Sequence, residues 1–106
     1  MEICRIYFRR QNPNVTFPSS PNKADLHVLL PNAPGFDIEV KGTKERGVAW
    51  NQLKVSGQPS HDMLKKGMPL YRVANIGERN VTIFVLEYSE DFEMIPEPRW
   101  TIRPKR

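Results

Sequence analysis

Two aliphatic and β-branched runs, KADLHVLL at Lys23 to Leu30 and FDIEVKGT at Phe36 to Thr43, flank Pro31-Asn32-Ala33-Pro34-Gly35, a segment dense in turn formers. This arrangement predicts an antiparallel hairpin. Alternate side chains of a strand share a face, so Glu39 and Lys41 point together while Ile38 and Val40 point the other way, into a core. Asp25 opens the first strand. With the bend centred near Ala33, facing residues have numbers summing to about 64 to 66, which sets Asp25 against positions 39 to 41. All three charged groups then lie on one side of the sheet.

Two carboxylates held together repel unless a positive charge joins them, and a divalent cation is the usual partner. A magnesium or manganese ion on Asp25, Glu39 and a backbone carbonyl near Val40 would keep several waters, one able to attack a phosphodiester. Lys41 beside it would position that water or neutralise the charge developing on phosphorus. An alternating strand with Glu and Lys on its solvent face is ordinary in itself; Asp25 at the head of the preceding strand, Gly42 directly after Lys41 and an expected helix next are what single this one out.

An Asp followed after about fourteen residues by Glu-Val-Lys on a strand resembles the motif of the PD-(D/E)XK nuclease superfamily. EVKG followed by a Gln-bearing helix is similar to the VRR-NUC domain, and IEVKGT followed by Tyr71-Arg72-Val73 is similar to the NO VEIN type domain. The resemblance implies a restriction-endonuclease-like core, DNA as substrate, Asp25 and Glu39 as metal ligands, Lys41 as the water-positioning or charge-stabilising residue, and Gln52 as an auxiliary polar group. Most members begin with a helix before the first strand. Here Ile3 to Arg10 alternates loosely and reads as a strand, so the core is expected to lack a clear first helix.

A chain of 106 residues is read as one domain with a modest core. No run approaches the roughly 18 apolar residues of a membrane span, and the first ten residues lack the apolar block of a signal peptide, so the expectation is an intracellular, cytoplasmic protein. The lone Cys4 has no partner for an internal disulfide and reads as a small buried hydrophobe. Net charge is +4, but Glu87 to Glu97 holds five acids and no Lys or Arg. The remainder, with 16 basic and seven acidic residues, carries +9, a balance suited to a polyanion such as a phosphate backbone.

Gln11 to Asn22 has three prolines and three asparagines in twelve residues and must be a loop. His27 shares the face of Asp25 and is placed to touch the carboxylates or a phosphate. Val48 to Ser56 has Ala49, Trp50 and Leu53 at helical spacing, predicting a short helix ended by Gly57 and Pro59; Ser60 to Gly67 predicts a second, with Ser60 as its cap. Met68 to Ile76 and Asn80 to Tyr88 are the clearest strands, the latter apolar enough to be central. Residues 90–106 lack helix periodicity and read as an irregular arm, acidic in front and basic at Arg99, Arg103, Lys105 and Arg106.

The sequence therefore predicts an α/β fold, a small mixed sheet of about five strands with one or two short helices. Its expected function is a magnesium-dependent nuclease acting on DNA, and its small surface implies a homo-oligomer. The alternative is a non-catalytic nucleic-acid- or protein-binding module on the same fold.

Overall fold

The computed structural model describes residues 2–55, 57–95 and 100–105, so Ser56, Glu97, Arg99 and Arg106 of the readings above lie outside the described residues. In chain order the elements are α1 (Glu2–Gln11), β1 (Leu26–Val28), β2 (Phe36–Gly42), a 3-10 turn (Trp50–Gln52), β3 (Lys54–Val55), α2 (Gln58–Lys65), β4 (Leu70–Ala74), β5 (Thr82–Leu86), β6 (Phe92–Ile95) and β7 (Trp100–Pro104). The α/β class is as expected. In place of one sheet of about five strands there are two, ordered β1-β2-β4-β5 and β3-β7-β6. The first is mixed: β2 runs antiparallel to β1 and parallel to β4, and β4 runs antiparallel to β5.

The first segment is a helix, not the strand that loose alternation suggested, so the core does have its leading helix. Cys4 and Phe8 are buried, and Ile3 and Tyr7 pack beside them, a stripe at positions 3, 4, 7 and 8 that only a helical period aligns. Ile6, which a strand would bury with Cys4 and Phe8, is 43% exposed. Glu2 in the first turn and Arg9 and Arg10 in the last complement the helix dipole.

The central sheet separates two cores. On one side Cys4, Phe8 and Val15 pack on Leu26, Val28, Ile38, Tyr71 and Val73. On the other, Leu70 and Leu86 meet Leu53, Val55, Leu64, Phe92 and Ile102 from the second sheet and α2. β4 is central, all five of its residues being buried. β5, expected to be central, is an edge strand: Val85 is 43% exposed.

The expected helix over 48–56 is a single 3-10 turn followed by a strand. Ala49 at φ 55 sits in the left-handed region and stops a helix from entering Trp50, while Leu53 and Val55, both fully buried, take the period of a strand. The second helix starts at Gln58 with Gly57 at its cap position and Pro59 in its first turn, so Ser60 lies inside it. The expected irregular arm is a hairpin, β6 paired with β7, which buries Phe92 and Ile102. Among the described residues, no helix is long and apolar enough to cross a membrane.

Candidate active site

β1 and β2 pair as Leu26 with Ile38, His27 with Asp37 and Val28 with Phe36, a register whose numbers sum to 64. Continued by one step, it sets Asp25 against Glu39. The ladder stops at Leu26, and there the Asp25 side chain takes the place of a strand partner: its Oδ2 accepts a hydrogen bond of 2.9 Å from the Val40 amide. Ile38 and Val40 face the α1 core, which leaves Glu39 and Lys41 on the opposite side.

Glu39 is only 5% exposed, and Lys41 Nζ lies 3.4 Å from its Oε2. Burial pushes the Glu39 carboxyl above its ordinary value. The neighbouring Asp25 charge raises it further, the Lys41 ammonium offsets part of the rise, and a hydrogen bond with Asp25 adds to it. The pair of acids is thus a place where a proton or a cation is favoured. A strand residue's N–H and C=O point the same way, so the Val40 carbonyl shares the edge on which Asp25 sits.

The loop over 11–22 is pinned where it delivers Asp25. Ser20 Oγ accepts from the amides of Asn22 and Ala24, each at 3.1 Å, and donates to Asp37 Oδ1 at 2.9 Å. Asn22 Nδ2 donates to Asp37 Oδ2 at 3.1 Å, and His27 Nδ1 lies 2.7 Å from Oδ1. Burial opposes ionisation of Asp37, but the hydrogen bonds from His27, Asn22 and Ser20 outweigh it and hold its carboxyl below the usual range. His27 therefore pairs with Asp37 rather than with Asp25 or Glu39. Its ring lies over Gly35, where any Cβ would collide with Nε2.

Gln52 does not join the three charged residues directly. Its Oε1 accepts a 3.0 Å hydrogen bond from Thr43 Oγ1, two positions beyond Lys41 and on the same strand face. Arg72, in the central strand β4, is 2% exposed. It donates to the carbonyls of Val48 (2.7 Å), Gly42 (3.1 Å) and Ala49 (3.3 Å). It clamps the end of β2 to the turn carrying Gln52, and burial lowers its pKa. Arg72 carries a legible signal, a single cation inside the apolar run LYRVA. Ser20 and Thr43 carry none.

Among the described residues, no group of three or more His, Cys, Asp and Glu side chains is arranged to hold a metal ion. Two carboxylates with a neighbouring carbonyl nonetheless suit magnesium, which keeps much of its water and takes one or two carboxylates from a protein. Comparisons with protein-family models, with curated proteins and with solved structures find no match, so the site is read from its own geometry.

Proposed function

We propose that this protein is a divalent-metal-dependent nuclease that hydrolyses DNA phosphodiesters, with Asp25 and Glu39 holding magnesium or manganese and Lys41 acting on the phosphate. One observation carries the reading: the Asp25 carboxylate reaches the β2 backbone at Val40, beside a Glu39 carboxyl that burial and then the Asp25 charge push up, while Lys41 is tethered to Glu39. A chain without a bound cation or proton there holds two crowded acids, and a hard cation relieves them. When bound, magnesium supplies an activated water and positive charge against the phosphate.

The residues then divide the work. Asp25 and Glu39 fix the cation from two strands. Lys41, half-buried on the same face and 3.4 Å from Glu39 Oε2, would place its ammonium to stabilise the charge growing on the phosphate oxygens. Gln52, held by Thr43, orients groups further along the face. Asp37 keeps the loop that carries Asp25 in place through Ser20 and Asn22.

An intracellular site of action belongs to the same reading; the buried free thiol of Cys4, whose ionisation burial opposes, fits a reducing compartment. So does assembly into a homo-oligomer, which would bring one site to each strand of a duplex, with the free outer edge of β5 as the place where copies can pair. The rival reading, a binding module without catalysis, rests on the Lys41–Glu39 ion pair, which already neutralises one acid. Titrating magnesium or manganese against plasmid and single-stranded DNA separates the two. Metal-dependent cleavage that Lys41→Ala abolishes supports the nuclease, and binding that persists in chelator with no cleavage at any metal concentration contradicts it.

A further inference from the structure

From Asp25 a chain of adjoining hollows leads away from the site. Asp25, Val40, Gly42 and Ile76 line a small one of about 220 Å³ together with Ile3 and Val73, on the side of β2 that packs toward α1. Gly42 and Ile76 also border the next, of about 550 Å³, with Thr43, Lys44, Glu45 and Gln52. Lys44 and Glu45 then pass into a third, of about 970 Å³, bounded by Arg46 on one side and by Asn75, Arg79 and Asn80 on the other. Arg79 continues into a fourth with Arg10 of α1.

Gly42 leaves room for Ile76 between the first two hollows, since a Cβ there would come within 2.6 Å of Ile76 Cδ1 unless that side chain turned aside. The walls beyond it are tied together. Asn75 N donates to the Glu45 carbonyl at 2.7 Å and Ile76 N to the Thr43 carbonyl at 3.1 Å, which joins the loop after β2 to the turn after β4. Asn75 Nδ2 closes that turn on the Asn80 carbonyl at 2.9 Å. The walls of the hollow are therefore fixed to each other by two backbone hydrogen bonds and one from the Asn75 side chain.

Lys44, Arg46, Arg79 and Arg10 are all exposed, and among the described residues none of them forms an ion pair. Glu45 and Glu78 also line the third hollow. The third hollow thus holds three cations against two acids and is net positive. Unpaired cations spaced along a path that starts at Asp25 suit a ligand that is repeatedly negative along its length.

We infer that Lys44, Arg46 and Arg79 form a phosphate-binding track for a single nucleic-acid strand running away from the ester held at Asp25 and Glu39. The inference rests on the nuclease reading for the direction of the strand. The track itself requires only binding. It reads no bases, because its donors are cationic and meet phosphates.

The test is fluorescence anisotropy of a labelled 20-nucleotide single strand in calcium, which permits binding to be followed without turnover, across a series of salt concentrations. Each phosphate contact on a single strand contributes about 0.7 to the slope of log affinity against log salt. The triple variant Lys44→Ser, Arg46→Ser, Arg79→Ser, with an unchanged melting temperature, is expected to lose about 2 from that slope and to bind the 20-mer no better than a 4-mer. A slope equal to the parent's overturns the track. So does displacement of the DNA by polyglutamate at equal charge concentration, which would make the surface an acidic-protein site. A parent that binds with the full slope but cuts nothing in magnesium or manganese sinks the nuclease reading and leaves the track standing.

Discussion

Asp37 and Glu39, two apart on one strand face, have carboxyls displaced in opposite directions, and the sign of each sets a pH dependence. Asp37 is held low, so its stabilisation is complete above the ordinary aspartate range and is lost as pH falls through its lowered folded value. Glu39 is held high, so folding is favoured below the ordinary glutamate value and that advantage is lost as pH rises through its folded value. Thermal melts in chelator should therefore show the parent losing stability on both sides of a mildly acidic optimum. Glu39→Gln removes the alkaline loss and raises the melting temperature at pH 7, and Asp37→Asn removes the acid one while lowering stability at pH 7. A Glu39→Gln variant less stable than the parent at pH 7 would contradict the burial argument. For Lys41→Ala the expected cost is about 100- to 1,000-fold in cleavage rate, the scale of one lost charge stabiliser, with a melting temperature close to the parent's. The convergence of Asp25 with Glu39 was legible because a five-residue bend between two alternating runs fixes the register within a residue or two. The partners that hold Asp25 in place were not, because Ser20 and Asn22 act from a loop whose path no periodicity records.

At the scale of elements, the Arg72 clamp is the least replaceable feature outside the acids. Arg72→Met keeps most of the packing but leaves the Val48, Gly42 and Ala49 carbonyls without their donor, at an expected cost of about 2–4 kcal/mol in a denaturant titration. Ala49 sits in the left-handed region that this clamp enforces, so Ala49→Gly should stabilise by about 1 kcal/mol; a loss of stability would mean that the turn is not strained. Strand β2 follows from alternation, and β4 and β5 from nearly continuous apolar runs joined by a short polar link. Helix α1 was misread because ten residues with Ile, Tyr and Phe satisfy both periods, and only the partner surface, Leu26, Ile38, Tyr71 and Val73, decides between them. The 3-10 turn and β3 were hidden for a related reason: Lys54 and Val55 become a strand by pairing with Thr101 and Trp100, some 45 residues away. Such a contact leaves no local trace.

Across the whole molecule, the two cores have separate tasks. The one under α1 carries β1 and β2 and so sets the geometry of the acids, whereas the one formed with the second sheet supports β4 and the turn bearing Gln52. Ile102→Ala, at a fully buried position of that second core, should cost about 2–5 kcal/mol although it lies on no part of the site. The positive remainder of the chain and the path from Asp25 past Lys44, Arg46 and Arg79 agree in the sign of ligand they suit. Self-association is testable at the same scale. Sedimentation should give a species heavier than one chain, and Val85→Lys on the open edge of β5 should return it to a monomer. The central claim, that Asp25 and Glu39 reach one hard cation from two strands, is met most directly by a crystal grown with manganese and measured for anomalous scattering. The account predicts a single peak within metal–oxygen bonding distance of both carboxylates, about 2.1 Å. An Asp25 carboxylate bound to the Val40 amide with no peak beside it at saturating manganese would contradict it.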